Sequence, residues 1–550
     1  MNHYLQANEM PLEMFRLCGG DQGRCPWNLR AFEKARAKLF KSWVVRVVAV
    51  AQILFLIISQ NSPKLTFEYT KRNVIMGKLG ENYRVNVAIL DSLLHPDENF
   101  DVIRKVLRVG ADEMTLYYID GFVNGTPMQK LMMHFLSLDS LQTPPDGVKS
   151  AAERFAEYNV PHVECDTTGD VDLMVQMVLS GATLILASTF GPLALIVDSR
   201  TYPARSTAEP EGDRVMVGSR DGFVETLIFN TALLRRRVRD PQLTMRYFTV
   251  GRHSKTDVVM CYLASRANPD YVSRLEKRLA SIDTDALPLG HQSLAECLVK
   301  ARWYNPFPKI RYTERPDTAA AQVLEGSVLI FCDNSPQVMI LPVSIFDFMQ
   351  ETNDYYFTPL TGTYIRIVRY IVFALSLFLV PTWYLLVQHA SAVPDWLAFV
   401  IPQEQGRIPL IAQLLLTEFI IDGLRMASLN TPSMLSNSLS VVGGLILGDF
   451  AVGIGWLIPE VILYMAFVAI ATFTQRSYEL GYAFKFLRIG LLILTALGGV
   501  WGYAAGTLLI VVLLATNKTV NGGRRYLYPL IPFDGRALMT LLVRRKKQSR

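Results

Sequence analysis

The sequence predicts an α/β N-terminal soluble region of two similar α/β subdomains, followed by an all-α polytopic membrane domain. The first reason is charge: 12 of the 146 residues in 371–516 are Asp, Glu, Lys or Arg, whereas the other 404 residues carry 92 such charges. The second reason is an internal repeat within the polar part, with a shift of 144 to 145 residues. Two related soluble units and one membrane unit therefore account for most of the 550 residues.

Composition and the repeat together divide the chain into five predicted segments. They are an N-terminal extension at 1–75, cytosolic α/β subdomains at 76–240 and 241–365, a transmembrane domain of about six segments at 366–518, and a basic cytosolic tail at 519–550. The extension is interpreted either as a disordered segment or as the product of an over-long translation start, with Met76 the functional initiator. Its 13-residue apolar run at 47–59 is short for a membrane span.

The motifs of enzymes and metal sites are absent from the sequence. It contains no HExxH, GxSxG or strand-linked GxGxxG, and its seven histidines form no pair at ligand spacing. The six cysteines are scattered without a CxxC pair, which argues against zinc and against a disulfide framework. We therefore predict no catalytic activity, no cofactor and no metal ion. The net charge of +6 is small, and the basic cluster at 544–547 is typical of the cytoplasmic side of a membrane rather than of a nucleic-acid interface.

The repeat joins equivalent strand and helix patterns. A strand-like run at 114–119 and a helical run at 128–138 recur, 144 residues later, at 258–263 and 271–282. A helix ending in VLSG at 178–181 leads into two β-rich runs, and a helix ending in VLEG at 323–326 does the same. Gly ends helices at little cost, so Gly181 and Gly326 are predicted to connect each helix to a buried β-hairpin.

Residues 202–241 connect the two repeats. Asp221 is predicted to open a helix whose end carries Arg235, Arg236, Arg237 and Arg239, a polarity that suits the helix dipole. One interpretation is structural, with the arginines capping the helix beside acidic neighbours. The other is a contact with anionic lipid headgroups or with an acidic loop of a neighbouring subunit.

The run GRHSKT at 251–256 invites comparison with a phosphate-binding loop. Such a loop needs a Gly immediately before its Lys, so that the backbone N–H groups are exposed to the phosphates. Ser254 takes that place before Lys255 and Thr256, so we predict no nucleotide site here.

Hydropathy predicts spans at 370–388, 408–425, 439–456 and 458–473, and an uncharged stretch at 489–515. Arg366 and Arg369 precede the first span, so the positive-inside rule places the soluble region in the cytoplasm. The last stretch would be about 40 Å long as one helix, against a hydrocarbon core of roughly 30 Å. One tilted helix and a two-piece hairpin both fit. The hairpin is more consistent, because basic residues follow the stretch as well as precede it.

Acidic residues within the spans are the best functional clue, since a charge near the bilayer centre is costly unless it is paired or hydrated. Glu418 and Asp422 are four residues apart and share a helix face, with Arg425 close enough for an internal ion pair. Asp449 and Glu460 lie in the third span and at the start of the fourth. We predict that the four carboxylates line an ion path. The alternative is that each lies at an interface or pairs within the bundle.

Glycines spaced four residues apart predict close helix packing, within one chain or between subunits. These are Gly444, Gly448, Gly498, Gly502 and Gly506. A lipid-facing kink is the alternative interpretation.

Long ordered blocks resemble the A-subunit family of bacterial spore germinant receptors. They are YPARSTAEPE, GSRDGFVETL, NTALLRRRVRDP, GRHSKTDVVMCYL, IDGLRMASLNTP and SYELGYAFKFLR. The resemblance covers roughly residues 101–550. The soluble residues that carry it are Arg205, Glu209, Pro210, Arg220, Asp221, Gly222, Glu225, Asn230, Arg235, Arg236, Arg237, Arg239, Ser254, Lys255 and Thr256.

The resemblance implies a spore germination protein of the spore inner membrane with both termini on the cytoplasmic side. It also implies a homo-oligomer, a pentamer, around an ion path that contributes to ion release, and a small partner membrane protein.

We therefore expect an oligomeric cation (potassium) channel. The alternative is a germinant receptor A subunit or a non-conducting signalling scaffold that senses a ligand or partner. Proton-coupled transport ranks last, because the membrane half shows no inverted repeat.

Overall fold

The computed structural model describes residues 77–143, 148–161, 164–201, 218–299, 304–403, 406–430, 450–522 and 526–544. All of them belong to one compact unit, Ile75–Arg550. The predictions for residues 1–75, for most of the third span at 439–456 and for the tail beyond Arg544 lie outside the described residues.

The first α/β unit contains a five-stranded antiparallel sheet in the order β1-β2-β4-β5-β3. Its strands are β1 (Val102–Val109), β2 (Asp112–Ile119), β3 (Cys165–Thr168), β4 (Thr183–Ala187) and β5 (Ala194–Val197). Its helices are α1 (Tyr83–Leu94), α2 (Gly125–Leu136), α3 (Ala151–Asn159) and α4 (Val171–Leu179). Buried apolar side chains from the strands and helices form the two hydrophobic clusters of this unit.

The second α/β unit has the same strand order, β6-β7-β9-β10-β8, and every pairing is again antiparallel. Its strands are β6 (Leu243–Val250), β7 (Thr256–Leu263), β8 (Arg311–Thr313), β9 (Val328–Cys332) and β10 (Val338–Leu341). Its helices are α5 (Leu227–Arg237), α6 (Pro269–Ala280), α7 (His291–Leu298) and α8 (Pro316–Leu324). The predicted subdomain boundary at residue 240 falls between α5 and β6, although α5 packs on the second sheet through Leu227, Leu233 and Leu234.

The predicted repeat is confirmed element by element. β7 and α6 begin 144 residues after β2 and α2, and α8 and β9 begin 145 residues after α4 and β4. Gly181 and Gly326 connect helix to strand in the two copies with φ of +103° and +97°. L-residues with a side chain rarely adopt this conformation, which explains the glycine at both positions.

The predicted helix start at Asp221 is wrong, because α5 begins six residues later, at Leu227. The side chain of Asn230 accepts a hydrogen bond from the Val224 N–H at 2.8 Å and donates to the Val224 carbonyl at 2.5 Å. These bonds occupy the backbone of Val224 and hold the segment before the helix as a loop.

A fully buried ion pair joins the two α/β units. Arg235 donates from Nε and Nη2 to the Asp101 carboxylate at 2.8 and 2.9 Å, and from Nη1 to the Leu243 carbonyl at 3.0 Å. Asp101 directly precedes β1 and Leu243 begins β6. The bidentate geometry therefore fixes the first strands of both units relative to α5.

A helical region follows the second unit, in agreement with the predicted fold class. Its helices are α9 (Ile345–Met349), α10 (Asn353–Tyr356), α11 (Pro359–Gln388), α12 (Leu410–Asn430), α13 (Pro459–Phe473), α14 (Tyr478–Thr516) and α15 (Gly535–Leu542). Among the described residues, α11 and α14 are long and apolar enough to cross a membrane, and α13 is a shorter apolar helix. The count of six spans stays a prediction.

The helix that carries the first predicted span is longer than the span, since α11 begins at Pro359, eleven residues before residue 370. Arg366 and Arg369, which precede the predicted span, lie within this helix. Both pair with the buried carboxylate of Asp354, so their charges do not interrupt the helix.

The long helix α14 is a two-piece hairpin. Gly499 has non-helical dihedrals, with φ of 54° and ψ of −130°. Leu491 and Ile510 meet in one hydrophobic cluster, although a straight helix would separate them by about 28 Å. A Cβ on Gly506 would lie 2.6 Å from Leu491 Cδ1, so the two arms of the hairpin are in close contact. The chain therefore reverses at Gly499, beside His389 at the end of α11.

We expect Arg235→Gln to destabilise the protein by about 3–5 kcal/mol, because it leaves the Asp101 carboxylate buried without its cation. Cys261 reports unfolding of this region, since its side chain is buried and burial raises the pKa of its thiol. When the full-length protein is heated with a thiol reagent, Cys261 should be modified at a lower temperature in Arg235→Gln than in the parent protein. Arg239→Gln, at an exposed position of the same basic run, is the control. Equal melting of the two variants would show that the pair is dispensable.

We expect Gly502→Ala to disrupt the hairpin, because its Cβ would clash with the carbonyl oxygen of Leu494. Overpacking of this kind costs about 1–3 kcal/mol. Gly498→Ala is the matched control, since a Cβ there meets no described atom within 4 Å. The detergent-solubilised variants are heated and analysed by size-exclusion chromatography. Gly502→Ala should aggregate at a lower temperature than Gly498→Ala. The opposite ranking would contradict the hairpin packing.

Candidate functional site

The apolar helices meet at a cluster of four charged side chains, Glu418, Asp422, Lys485 and Arg488, which we call the charge cluster. Glu418 on α12 accepts hydrogen bonds from Nε and Nη2 of Arg488 on α14, at 2.7 and 2.5 Å. Arg488 Nη1 also donates to the backbone carbonyl of Ser376 on α11, at 2.7 Å. Three helices are therefore joined at one guanidinium.

Asp422 lies one turn after Glu418 and forms an ion pair with Lys485. Lys485 Nζ is also 3.4 Å from Glu418 Oε2, so the two carboxylates share this ammonium group. The Asp422 side chain is 32% exposed, whereas that of Glu418 is 8% exposed. Asp422 is thus the carboxylate of the cluster that another cation can reach.

The charge cluster is electrically balanced, with two carboxylates facing two cations. Buried charges persist when geometry and hydrogen bonds compensate their lost hydration. Both conditions hold at Glu418, which agrees with the interpretation that this acid pairs within the bundle. A cavity of about 20 Å³, roughly the space of one water molecule, adjoins the cluster. A role in an ion path stays a prediction.

Sequence reasoning did not identify Lys485 and Arg488 as partners of the acids. The available signal was their spacing of three residues, which puts two cations on one helix face. Arg425, expected in an internal ion pair, lies over three aromatic rings at 5.0 to 5.7 Å, those of Phe473, Tyr478 and Tyr482. Such contacts favour a cation in a partly desolvated position.

Of the other two predicted path acids, the structure describes only Glu460, which lies away from this cluster. Glu460 lies half-exposed in the first turn of α13, where the helix dipole favours a negative charge. Helix α13 reaches the cluster at Val468, about 12 Å further along its axis. Asp449 lies outside the described residues.

The predicted packing glycines fall into two groups. Gly502 and Gly506 lie where the arms of the α14 hairpin touch, whereas a Cβ on Gly498 would meet no described atom within 4 Å. Gly444 and Gly448 lie outside the described residues. The observed close packing is within one chain, and a contact between subunits stays a prediction.

A second charged cluster, missed by sequence reasoning, clamps α10, which follows the second α/β unit, to α11. Fully buried Asp354 accepts hydrogen bonds from Arg369 Nη1 and Nη2 at 2.7 and 2.8 Å and from Arg366 Nε at 3.3 Å. Arg369 also donates to Glu351 at 2.6 Å. The arginines that signalled the cytoplasmic side are therefore neutralised by acids just upstream of the helix.

The arginines at the end of α5 differ in burial and in their partners. Arg235 is buried against Asp101, and Arg237 Nη2 donates to Asp221 at 2.6 Å. Burial favours the neutral form of Asp221, but hydrogen bonds from Ser219 and Arg237 outweigh this and lower its pKa. Arg236 and Arg239 are exposed, so the lipid or subunit contact predicted for the run stays open for these two.

The remaining residues of the resembling blocks are placed as follows. Gly222 and Asn230 are buried, Arg220 and Glu225 are exposed, and Arg205, Glu209 and Pro210 lie outside the described residues. Ser254 and Lys255 form the turn between β6 and β7, and Thr256 begins β7. The Ser254 hydroxyl accepts a hydrogen bond from the Leu287 N–H at 3.2 Å. A phosphate-binding loop connects a strand to a helix, whereas this run closes an antiparallel hairpin.

Comparison with known proteins identifies relatives along most of the chain. The family model for the Bacillus/Clostridium GerA spore germination protein matches residues 89–550. Stage V sporulation protein AF of Bacillus subtilis (strain 168) is 38% identical over 449 residues, which are 82% of this chain and 90% of the relative. Spore germination protein B1 of the same organism is 27% identical over 464 residues, 81% of this chain and 94% of the relative.

One solved structure is also similar, the crystal structure of the N-terminal domain of the A subunit of the Bacillus megaterium spore germinant receptor GerK3. It is 24% identical, covers 48% of this chain and 96% of that domain, and has a TM-score of 0.37. The family model and the relatives confirm the resemblance drawn from the sequence blocks. The chain belongs to the Bacillus/Clostridium GerA family of spore germination proteins.

Proposed function

We propose that this spore germination protein forms, with further copies of itself, a cation path in the spore inner membrane and contributes to ion release. The observation that carries the proposal is the charge cluster among apolar helices, in which Asp422 stays 32% exposed beside the paired Glu418. Family membership supports the role in germination. The proposal assigns no catalytic step to the chain.

The two acids have separate roles in this proposal. Glu418 is a positioning residue, because its bonds to Arg488 hold α12 against α14. Asp422 meets the permeating cation, which competes with Lys485 for the carboxylate. A carboxylate at the wall of a pore concentrates cations and repels anions.

The face of α12 that carries Asp422 supports assembly from several copies, which we propose to be a pentamer. Phe419 and Met426 lie on this face at helical spacing and are 73% and 56% exposed. The accessible side of Asp422 therefore borders an apolar surface that the described part of one chain leaves uncovered. A path along this face would be closed by neighbouring copies or by the small partner membrane protein.

We expect Asp422→Asn to lower potassium-over-chloride selectivity several-fold, because each subunit loses one negative charge at the path. Potassium and chloride release from liposomes that contain the purified protein measures this ratio. Asp166→Asn is the control, since it removes an exposed carboxylate from β3 of the first α/β unit, outside the apolar helices. Size-exclusion chromatography should give both variants the elution volume of the parent. Unchanged selectivity in Asp422→Asn would assign this acid to a structural ion pair.

We expect Glu418→Gln to destabilise the protein by about 3–5 kcal/mol, since Arg488 would keep a buried charge without a carboxylate. Thermal unfolding in detergent measures this loss. The double variant Glu418→Gln/Arg488→Met removes both charges and should recover most of the stability. A double variant no more stable than the single one would contradict the assigned pairing.

The second candidate function is a receptor A subunit or signalling scaffold that does not conduct. This second function is favoured because the charges balance within one chain. Glu418 is already paired with Lys485 and Arg488. The Asp354 clamp would then carry a signal from the second α/β unit into α11. Potassium release from liposomes, with and without the candidate partner, separates the two. Release above a protein-free control supports the channel, and its absence under all conditions supports the scaffold.

A further inference from the structure

A cavity of about 650 Å³, which we call the junction cavity, lies between the second α/β unit and the start of α14. Helix α7 and strand β8 supply one wall, which includes Gln292, Glu296 and Tyr312. The first turns of α14 supply the other wall, through Glu479 and Phe486. Pockets that bind small molecules have volumes of roughly 300–1,000 Å³. The junction cavity therefore has the size of a small-molecule site.

The carboxylate of Glu479 lines the junction cavity and forms no hydrogen bond or ion pair with any described residue. Its place in the first turn of α14 favours the ionised form, because the helix dipole stabilises a negative charge there. It does not cap the helix, since Ser477 accepts the hydrogen bond from the Leu480 N–H at 3.3 Å. Arg476, the nearest arginine in the sequence, lies 3.8 Å from Glu351. The Glu479 carboxylate is thus available to a cation.

A second carboxylate, that of Glu296 on α7, borders the same cavity. Burial and the negative charges of Glu479 and Glu296 raise the pKa of the Tyr312 hydroxyl, so both acids lie near one hydroxyl group. This hydroxyl donates to Gln292 Oε1 at 3.3 Å, which leaves its oxygen as an acceptor. Lys309 also lines the cavity, but it forms no ion pair with either of these two described acids. With two carboxylates and one ammonium group, the described lining has a net charge of −1.

Much of the remaining lining is aromatic. Tyr304, Tyr482 and Phe486 border the cavity and are 49%, 36% and 58% exposed. Aromatic faces attract ammonium groups, and this attraction is the basis of aromatic sites for organic cations. A single metal ion would leave most of the cavity empty, and the described residues hold no group of three potential metal ligands. Carboxylates, a tyrosine oxygen and aromatic rings together match an ammonium group joined to an apolar body.

We propose that the junction cavity binds a small organic cation, with its ammonium group between Glu479 and Tyr312 and its apolar body against Phe486. The ligand bridges the second α/β unit and α14, because the two walls belong to these two parts. Lys485 of the charge cluster lies six residues after Glu479, about 9 Å along the helix axis. A bound ligand therefore holds the α/β unit against the helix that supplies both cations of the charge cluster. The site goes beyond the proposed ion path and does not depend on it.

Equilibrium dialysis of the full-length protein in detergent tests the proposal with two probes of nearly equal shape. One probe is phenylethylammonium, and the other is phenylethanol, in which a hydroxyl replaces the ammonium group. We expect saturable binding of the ammonium probe, about tenfold tighter than that of the alcohol, because the alcohol cannot form an ion pair with a carboxylate. Equal affinities, or no saturable binding of the ammonium probe at millimolar concentration, would overturn the proposal.

Two variants separate the carboxylate from the apolar wall. Glu479→Gln should weaken binding of the ammonium probe about tenfold and leave binding of the alcohol unchanged, because only a charge is removed. Phe486→Ala should weaken binding of both probes, since both carry the phenyl ring. Asp166→Asn removes an exposed carboxylate from the first α/β unit and should bind both probes like the parent. Unchanged binding of the ammonium probe in Glu479→Gln would overturn the site.

Thermal unfolding without a probe checks that Glu479 has no structural partner. Glu479→Gln should unfold at the temperature of the parent, because no ion pair is lost. The ammonium probe should raise the unfolding temperature of the parent more than that of Glu479→Gln, since a ligand that binds the folded state stabilises it. A variant that unfolds at a lower temperature than the parent without a probe would assign Glu479 to a structural ion pair and overturn the proposal.

Photo-crosslinking distinguishes a small ligand from a neighbouring chain as the occupant of the cavity. Benzoylphenylalanine replaces Tyr304 in the full-length protein, and isotope-labelled and unlabelled copies are mixed before irradiation and mass spectrometry. We expect crosslinks to α14 peptides of the same label only, and fewer of them when the ammonium probe is present. Crosslinked peptides that combine the two labels would place a second copy in the cavity and overturn the proposal.

Discussion

Charges buried away from water control how the parts of this protein are joined. A buried ion must be matched by partners of good geometry, and here the partners come from distant segments. Arg235 and Asp101 are 134 residues apart and connect the two α/β units. Asp354 holds Arg366 and Arg369 where the second unit meets α11. Glu418 and Arg488, 70 residues apart, connect α12 with α14. Each junction of the fold thus depends on one compensated charge cluster.

The two copies of the α/β unit have the same strand order but different positions in the molecule. The core of the second unit continues into the helical region, where Phe373 of α11 and Phe484 of α14 stack edge to face at 5.6 Å. The first unit reaches the second through Asp101 and through Asn99, whose side chain accepts a hydrogen bond from the Met245 N–H at 2.9 Å. Repetition therefore supplied the architecture, and the second copy provides the surface on which the apolar helices are anchored.

The charge cluster contains an enclosed ion pair, Glu418 with Arg488, beside a more accessible pair, Asp422 with Lys485. Arg488 uses its three donor groups on Glu418 and Ser376, which leaves little freedom to α12, α14 or α11 at this level. Asp422 and Lys485 lie one helical turn away, and the side chain of Asp422 is more exposed than that of Glu418. In the proposed cation path, Asp422 would exchange Lys485 for a permeating cation while the Glu418–Arg488 pair keeps the helices in place.

Local periodicity was sufficient to predict the repeat, the glycines at 181 and 326 and the apolar helices. It also predicted the shared helix face of Glu418 and Asp422. Each of these features depends on residues that are close in sequence. Tertiary structure decided which of four neighbouring arginines is buried, since only the position of Asp101 distinguishes Arg235. It also decided the start of α11, where Asp354 neutralises two arginines that hydropathy treats as a boundary, and the partners of Glu418. A charge is stabilised by what surrounds it in space, and contacts across 70 or 134 residues leave no periodic trace in the sequence.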